Sequence, residues 1–255
     1  MVMLTAMDSW IGYLLLFAAG LVAGVLNVVA GGGSFLTLPA LIFLGLPPGI
    51  ANATNRVAIF LQNIGAVWSF QRFGVLDSRA FVWAAVPAAL GAIPGTWLAL
   101  SISDRAFQKV LALLMVAVTL WNLWSKRGDG ASRADADKPR LAVLAAGFFL
   151  TGLYGGFVQA GVGFLILAVT TAAGLDLVRG NAVKVLVVLC FTSVSLAIFA
   201  WQGRIDWPPG LALAVGTVLG GLLGVRLTVL KGHRWVRGFV TVTILVFAVR
   251  LWFFG

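Results

Sequence analysis

Long apolar blocks alternate with short polar stretches along the whole chain. They predict ten helical segments in two sets of five, at 11–30, 33–46, 51–72, 79–101 and 104–124, then 141–160, 163–175, 180–201, 208–230 and 233–254. A helix crossing the hydrocarbon of a bilayer needs about 20 residues. The second block of each set, 33–46 and 163–175, falls short of that, and each follows a glycine break: Gly31-Gly32-Gly33 in one half, Gly161 and Gly163 in the other. Irregular backbone at membrane depth is tolerated only where protein buries it or it lines a watery cavity, so both breaks are expected to face the interior.

The two sets resemble one another at an offset of about 129 residues. Gly45-Leu46 recurs as Gly174-Leu175, Asn52-Ala53 as Asn181-Ala182, Gly74 and Asp77 as Gly203 and Asp206, and Gly91 and Gly95 as Gly220 and Gly224. Five crossings per copy would send the second copy through the membrane in the opposite sense. The basic residues favour that count: with all ten segments crossing, eleven Lys and Arg fall on the side of the linker and four on the other, against nine and six if the short segments do not cross. Basic residues collect on the cytoplasmic side. The pattern therefore predicts an all-α polytopic membrane protein of two five-segment inverted repeats, 1–124 and 141–255, joined by a flexible cytoplasmic linker, 125–140, with both termini outside. Such repeats are a common plan of secondary transporters, whose site lies at the repeat interface.

Composition agrees with a bilayer. The chain is 61% hydrophobic and only 10% charged, too little polar surface to cover a water-soluble globule. The net charge of +10 is accounted for by loops facing anionic lipid and calls for no nucleic-acid partner. The single Cys190 excludes an internal disulfide. The first block lacks a basic leader and reads as a retained spanning helix. Trp10, Trp124, Trp201 and Trp207 stand near segment ends, where indole rings suit the membrane interface.

Charge placement narrows the chemistry. All eight acidic residues are Asp, and each falls in a loop, at a segment edge, in the linker or in the N-terminal lead. No carboxylate is left in the segments to carry a proton or bind a cation. The groups that do lie deeper are Arg56, Lys184 and Arg226. A cation at a helix centre costs about 2.5–3.5 kcal/mol on insertion scales, so each needs a partner, a route to the headgroups or a function. Arg226, close to Lys231 at its segment end, reads as snorkelling. For Arg56 and Lys184 the natural partner is an anionic ligand. Asn52, Thr54, Asn55 and Arg56 in one half, with Asn181 and Lys184 in the other, open a helix and offer N–H or O–H donors. Helix N-termini favour anions, and the breaks Gly31, Gly32, Gly33, Ser34 and Gly161, Gly163 also precede helices. These twelve residues are the candidate substrate site; Asn27, Gln62, Asn63, Gln159 and Thr192 are pathway candidates. The four-spaced glycines Gly20, Gly24, Gly91, Gly95, Gly220 and Gly224 are read as helix-packing positions.

The stretch Gly31 to Pro48, then Ala51-Asn52-Ala53-Thr54-Asn55, resembles the first half of the TauE/SafE sulfite exporter family. Gly161 to Gly174, the Asn181 helix and Gly203-Arg204-Ile205-Asp206 are similar to its second half, apart from Val183-Lys184 where that family commonly has a small hydroxyl pair. The resemblance covers nearly the whole chain. It implies a bacterial inner-membrane exporter of sulfite, sulfonates such as sulfoacetate, or related sulfur oxyanions and organic acids, with Asn52 to Arg56 and Asn181 to Lys184 beside the substrate.

Neither cofactor nor metal is expected. There is no phosphate-binding loop of the GxxxxGK[ST] type, and no metal-ligand spacing of His, Cys or Asp within the segments. An enzyme built on Ser34 would lack a base. Other carriage modes, exchange or proton symport of small organic acids, stay open, as does the oligomeric state.

Overall fold

The computed structural model describes residues 10–29, 31–75, 81–124, 141–173, 175 and 177–231. The N-terminal lead, the linker 125–140 and the expected segment 233–254 lie outside the described residues. Those described are helical throughout, with no strands among them. The helices are α1 (Trp10–Val29), α2 (Ser34–Phe43), α3 (Pro48–Arg72), α4 (Val86–Ser101, entered through a π-helical turn at Phe81–Ala85), α5 (Asp104–Trp124), α6 (Leu141–Phe157), α7 (Val162–Ala172), α8 (Leu177–Trp201) and α9 (Trp207–Lys231).

Boundaries follow local chemistry. Helix α3 starts three residues before the expected 51 because Pro48 occupies its first position, where a missing N–H costs nothing. It ends at Gly74, whose φ of +67° suits glycine, with Val75 N–H donating to the Phe70 carbonyl in a Schellman closure. The same closure recurs after α8 at Gly203, φ +62°, with Arg204 N–H on the Phe199 carbonyl. The short helices are shorter than expected, 10 residues for α2 and 11 for α7.

Among the described residues, four helices are long and apolar enough to span a bilayer by themselves: α1, Val82–Ser101 including α4, α8 and α9. Helix α3 has the length, 25 residues, but is too polar, and its polar groups are inside. Asn52, Thr54, Asn55, Arg56, Gln62 and Asn63 are all buried, whereas Leu150, Val215, Leu230 and Trp201 are exposed. Polar groups inside and large apolar groups outside is the distribution that a lipid solvent imposes. Helix α3 is therefore a central element, packed against α8 and α9.

Helix pairing is reciprocal between the halves. The closest partners are α1 with α9 and α4 with α6, so the first helix of each half packs on the fourth of the other. Glycines bring the backbones together. Gly220 abuts the Leu21 carbonyl and Gly224 the Val25 carbonyl; at matching positions Gly91 abuts the Phe149 carbonyl and Gly95 the Leu153 carbonyl. Likewise Gly24 meets the Thr217 carbonyl as Gly152 meets that of Ala88. The four-spaced glycines are packing positions, as their spacing suggested.

Candidate functional site

Both glycine breaks turn the chain back into the protein interior, where they touch. Gly31, at φ +85°, lies backbone to backbone against Gly163: a Cβ added to Gly31 would sit 2.5 Å from the Gly163 carbonyl carbon. Nearby, Phe35 stacks on Phe164 with ring centroids 6.3 Å apart. Helix α2 begins beside this contact at Ser34 and α7 at Val162. The first turn of any helix leaves N–H groups without intrahelical acceptors and carries partial positive charge, and here two such turns converge.

A small cavity of about 10 Å³ adjoins the contact, room for about one water molecule. Its wall is Asn27, Ser34, Ile59 and Asn63 from the first half and Gln159, Val162, Gly163, Lys184 and Val188 from the second. Ser34 and Gly163 are equivalent positions of the duplicated sequence, as are Ile59 and Val188. The cavity therefore straddles the junction of the halves. Its wall contains no carboxylate.

The two deep cations have partners that the sequence reading did not foresee. Arg56 is completely buried and donates from Nη1 to the Gly155 carbonyl at 2.9 Å and from Nη2 to the Gly156 carbonyl at 2.7 Å. Its guanidinium lies over the Phe199 ring, 5.1 Å from the centroid. Lys184 Nζ donates to the Asn27 carbonyl at 2.9 Å, the Val28 carbonyl at 2.6 Å and Asn181 Oδ1 at 2.6 Å. Gly155 and Gly156 end α6 as Asn27 and Val28 end α1. Each cation thus reaches from one half to the last-turn carbonyls of the other half's first helix. Last-turn carbonyls run short of intrahelical donors and carry partial negative charge, which is why cations settle there, and the Asn27 carbonyl takes Lys184 in addition to the Gly31 N–H. An anionic ligand was the natural partner expected for these charges; the partners found are helix C-termini. The positions differ in access, because Lys184 belongs to the cavity wall and Arg56 does not.

The remaining candidates divide by place. Ser34, Gly163 and Lys184 line the cavity, as do the pathway candidates Asn27, Asn63 and Gln159. Gln62 and Thr192 stand one bond behind: Asn27 Nδ2 donates to Gln62 Oε1 at 3.1 Å, and Gln159 Nε2 to Thr192 Oγ1 at 2.7 Å. Gly32, Gly33 and Gly161 build the breaks without lining the cavity. Asn181 holds Lys184, while Asn52 Nδ2 donates to the Phe157 carbonyl at 3.0 Å, beside the Arg56 contacts. Thr54 faces α9, accepting the Asp206 N–H at 3.0 Å. Asn55 is buried with neither amide atom hydrogen-bonded, and it lies one helical turn from Ile59. Arg226 is exposed on α9. Sequence reasoning missed Ile59, Val162 and Val188, which are apolar residues in an apolar chain; the equivalence of 59 and 188 across the duplication was the available signal.

The sulfite exporter TauE/SafE family matches residues 16–251. The chain belongs to that family. It is similar, at 33% identity over 235 residues and 89% of each chain, to a probable membrane transporter protein of Haemophilus influenzae. It is also similar to the probable membrane transporter protein YfcA of Escherichia coli K12, at 28% identity with 92% of this chain and 88% of that one covered. A probable membrane transporter protein ORF9 of a Sinorhizobium species is 27% identical, with 92% and 90% covered. No solved structure matches the chain. Membership in this family and the apolar spanning helices make it a multi-pass membrane protein.

Proposed function

We propose that this protein is a secondary transporter that exports a small anion from the cytoplasm, with sulfite, an organosulfonate such as sulfoacetate, or a related sulfur oxyanion as the substrate class. The observation that carries the reading is the cavity: it lies where two helix N-termini meet, with an ammonium and no carboxylate in its wall. Family membership and the names of the relatives support transport, and the family's name points to sulfite.

The same reading takes the halves as inverted repeats related by a pseudo-twofold axis in the membrane plane, five segments each. The reciprocal helix pairs, the matched glycine contacts and the matched cation contacts support it. The linker 125–140 is then cytoplasmic, both termini are outside, and the membrane is a bacterial inner membrane. Transport works by alternating access: the cavity opens to one side and then to the other as one element rocks on its neighbour. An outward-positive potential favours anion exit by about 2.3 kcal/mol per charge per 100 mV, so uniport suffices for export.

The test is flux of sulfite, sulfoacetate and sulfate into proteoliposomes of purified protein, with and without an imposed potential. Potential-driven flux of at least one of them is expected. No flux of any of the three, from protein that stays monodisperse, overturns the sulfur-oxyanion assignment.

A further inference from the structure

The amide side chains of the cavity are oriented alike. Asn27 Nδ2 donates to Gln62 Oε1 at 3.1 Å, Asn63 Nδ2 to the Ile59 carbonyl at 2.7 Å, and Gln159 Nε2 to Thr192 Oγ1 at 2.7 Å. Each NH2 group is thus tied to the protein. Among the described residues no donor reaches Asn27 Oδ1, Asn63 Oδ1 or Gln159 Oε1, and Gln159 Oε1 is fully buried. What the wall offers besides is the Ser34 hydroxyl, the opening turns of α2 and α7, and the positive charge of Lys184, whose three N–H groups already serve the Asn27 and Val28 carbonyls and Asn181 Oδ1.

The wall therefore mixes two chemistries: positive charge with O–H and N–H groups, and three amide oxygens that accept from no described donor, of which Gln159 Oε1 is the one sealed from water. A carbonyl oxygen sealed from water without a donor costs about 1–3 kcal/mol. A water in the cavity can serve these oxygens, but a substrate that displaces it must bring a donor of its own. A cation on the oxygens is disfavoured by Lys184 in the same wall.

Resting on the anion-carrier reading, we propose that the transported anion bears its own hydrogen-bond donor, an O–H or N–H group within a few bonds of the anionic group. The substrate class is then the hydroxy- or amino-substituted sulfonates and carboxylates, or a monoprotonated oxyanion such as hydrogen sulfite, and within the class proposed above sulfoacetate and sulfate, which only accept, are set aside. Sites built to hydrogen-bond a hydroxyl reject analogues that lack it far more strongly than apolar pockets reject a missing methylene, because the site's own polar group is stranded.

Matched pairs test this in proteoliposomes: 2-hydroxyethanesulfonate against ethanesulfonate, and lactate against propionate, each pair sharing its anionic group and differing by one O–H. The hydroxylated member of whichever pair is carried is expected to move at least about tenfold faster. Gln159→Leu, folded by size-exclusion profile, should narrow that ratio to about threefold or less by removing one stranded oxygen. Equal flux of the two members in the wild type overturns the donor requirement and leaves the anion carrier standing. No flux of any member, together with none of the sulfur oxyanions, removes the carrier reading and this inference with it. If Gln159→Leu does not fold, the wild-type ratios decide alone.

Discussion

Arg56 and Lys184 do the same electrostatic work at opposite ends of the duplication, yet they differ in what can replace them. Removing Arg56 strands the Gly155 carbonyl in a packed interior, at about 1–3 kcal/mol, and leaves that of Gly156 only a long bond from Thr96 Oγ1 at 3.4 Å. Removing Lys184 exposes its carbonyls to the cavity, which has room for water. Arg56→Ala is therefore expected to melt about 5 °C or more below Lys184→Ala in detergent, measured by intrinsic fluorescence, while Lys184→Ala folds and loses at least about tenfold in anion flux. Equal melting temperatures would show that burial does not distinguish the pair. The presence of two deep cations was legible in the sequence, because Arg and Lys stand out in an apolar helix. Their partners were not: a backbone carbonyl has no signature in a sequence, and these carbonyls become available only because α1 and α6 end against the opposite half.

At the scale of elements, the short helices α2 and α7 exist because the chain breaks before them, and the two breaks need each other. A Cβ at Gly163 would lie inside van der Waals contact of the Gly31 backbone, which cannot yield as a flexible side chain could. Gly163→Ala is expected to abolish flux and to reduce the folded yield several-fold, read by size-exclusion chromatography. Gly74→Ala provides the contrast. Its φ of +67° carries strain of about 1 kcal/mol, but nothing lies within 4 Å of the added Cβ, so flux should stay within about twofold of wild type. The breaks were visible as glycine clusters before apolar blocks too short to span a bilayer. Their meeting was not visible, since it depends on how α1 and α6 are placed by packing on α9 and α4. Helix α3 illustrates the opposite limit: hydropathy marks it as a poor spanning segment, although its polar residues are buried among its neighbours.

At the scale of the whole molecule, the proposed site draws on both halves of the chain. Equivalent residues meet in the cavity wall, Ser34 with Gly163 and Ile59 with Val188, and equivalent glycines carry the flanking helix pairs. Gly91→Ala and Gly220→Ala press on the Phe149 and Leu21 carbonyls, which are matching contacts, so their melting temperatures should fall together, within about 2 °C of one another. A large difference would count against two equivalent halves. The 129-residue offset suggests two related halves, but a repeat in sequence does not say which helices exchange. Only the pairing of α1 with α9 and α4 with α6 does.

The central claim, a cavity at the junction of the halves that opens alternately to the two sides around an anion, is tested most directly by accessibility. Ser34→Cys, in a chain whose only native thiol has been removed by Cys190→Ala, would be treated with a membrane-impermeant thiol reagent from each side of oriented vesicles. The account predicts labelling from both sides, each slowed by the anion whose flux is measured. Labelling confined to one side, or rates indifferent to that anion, would contradict it.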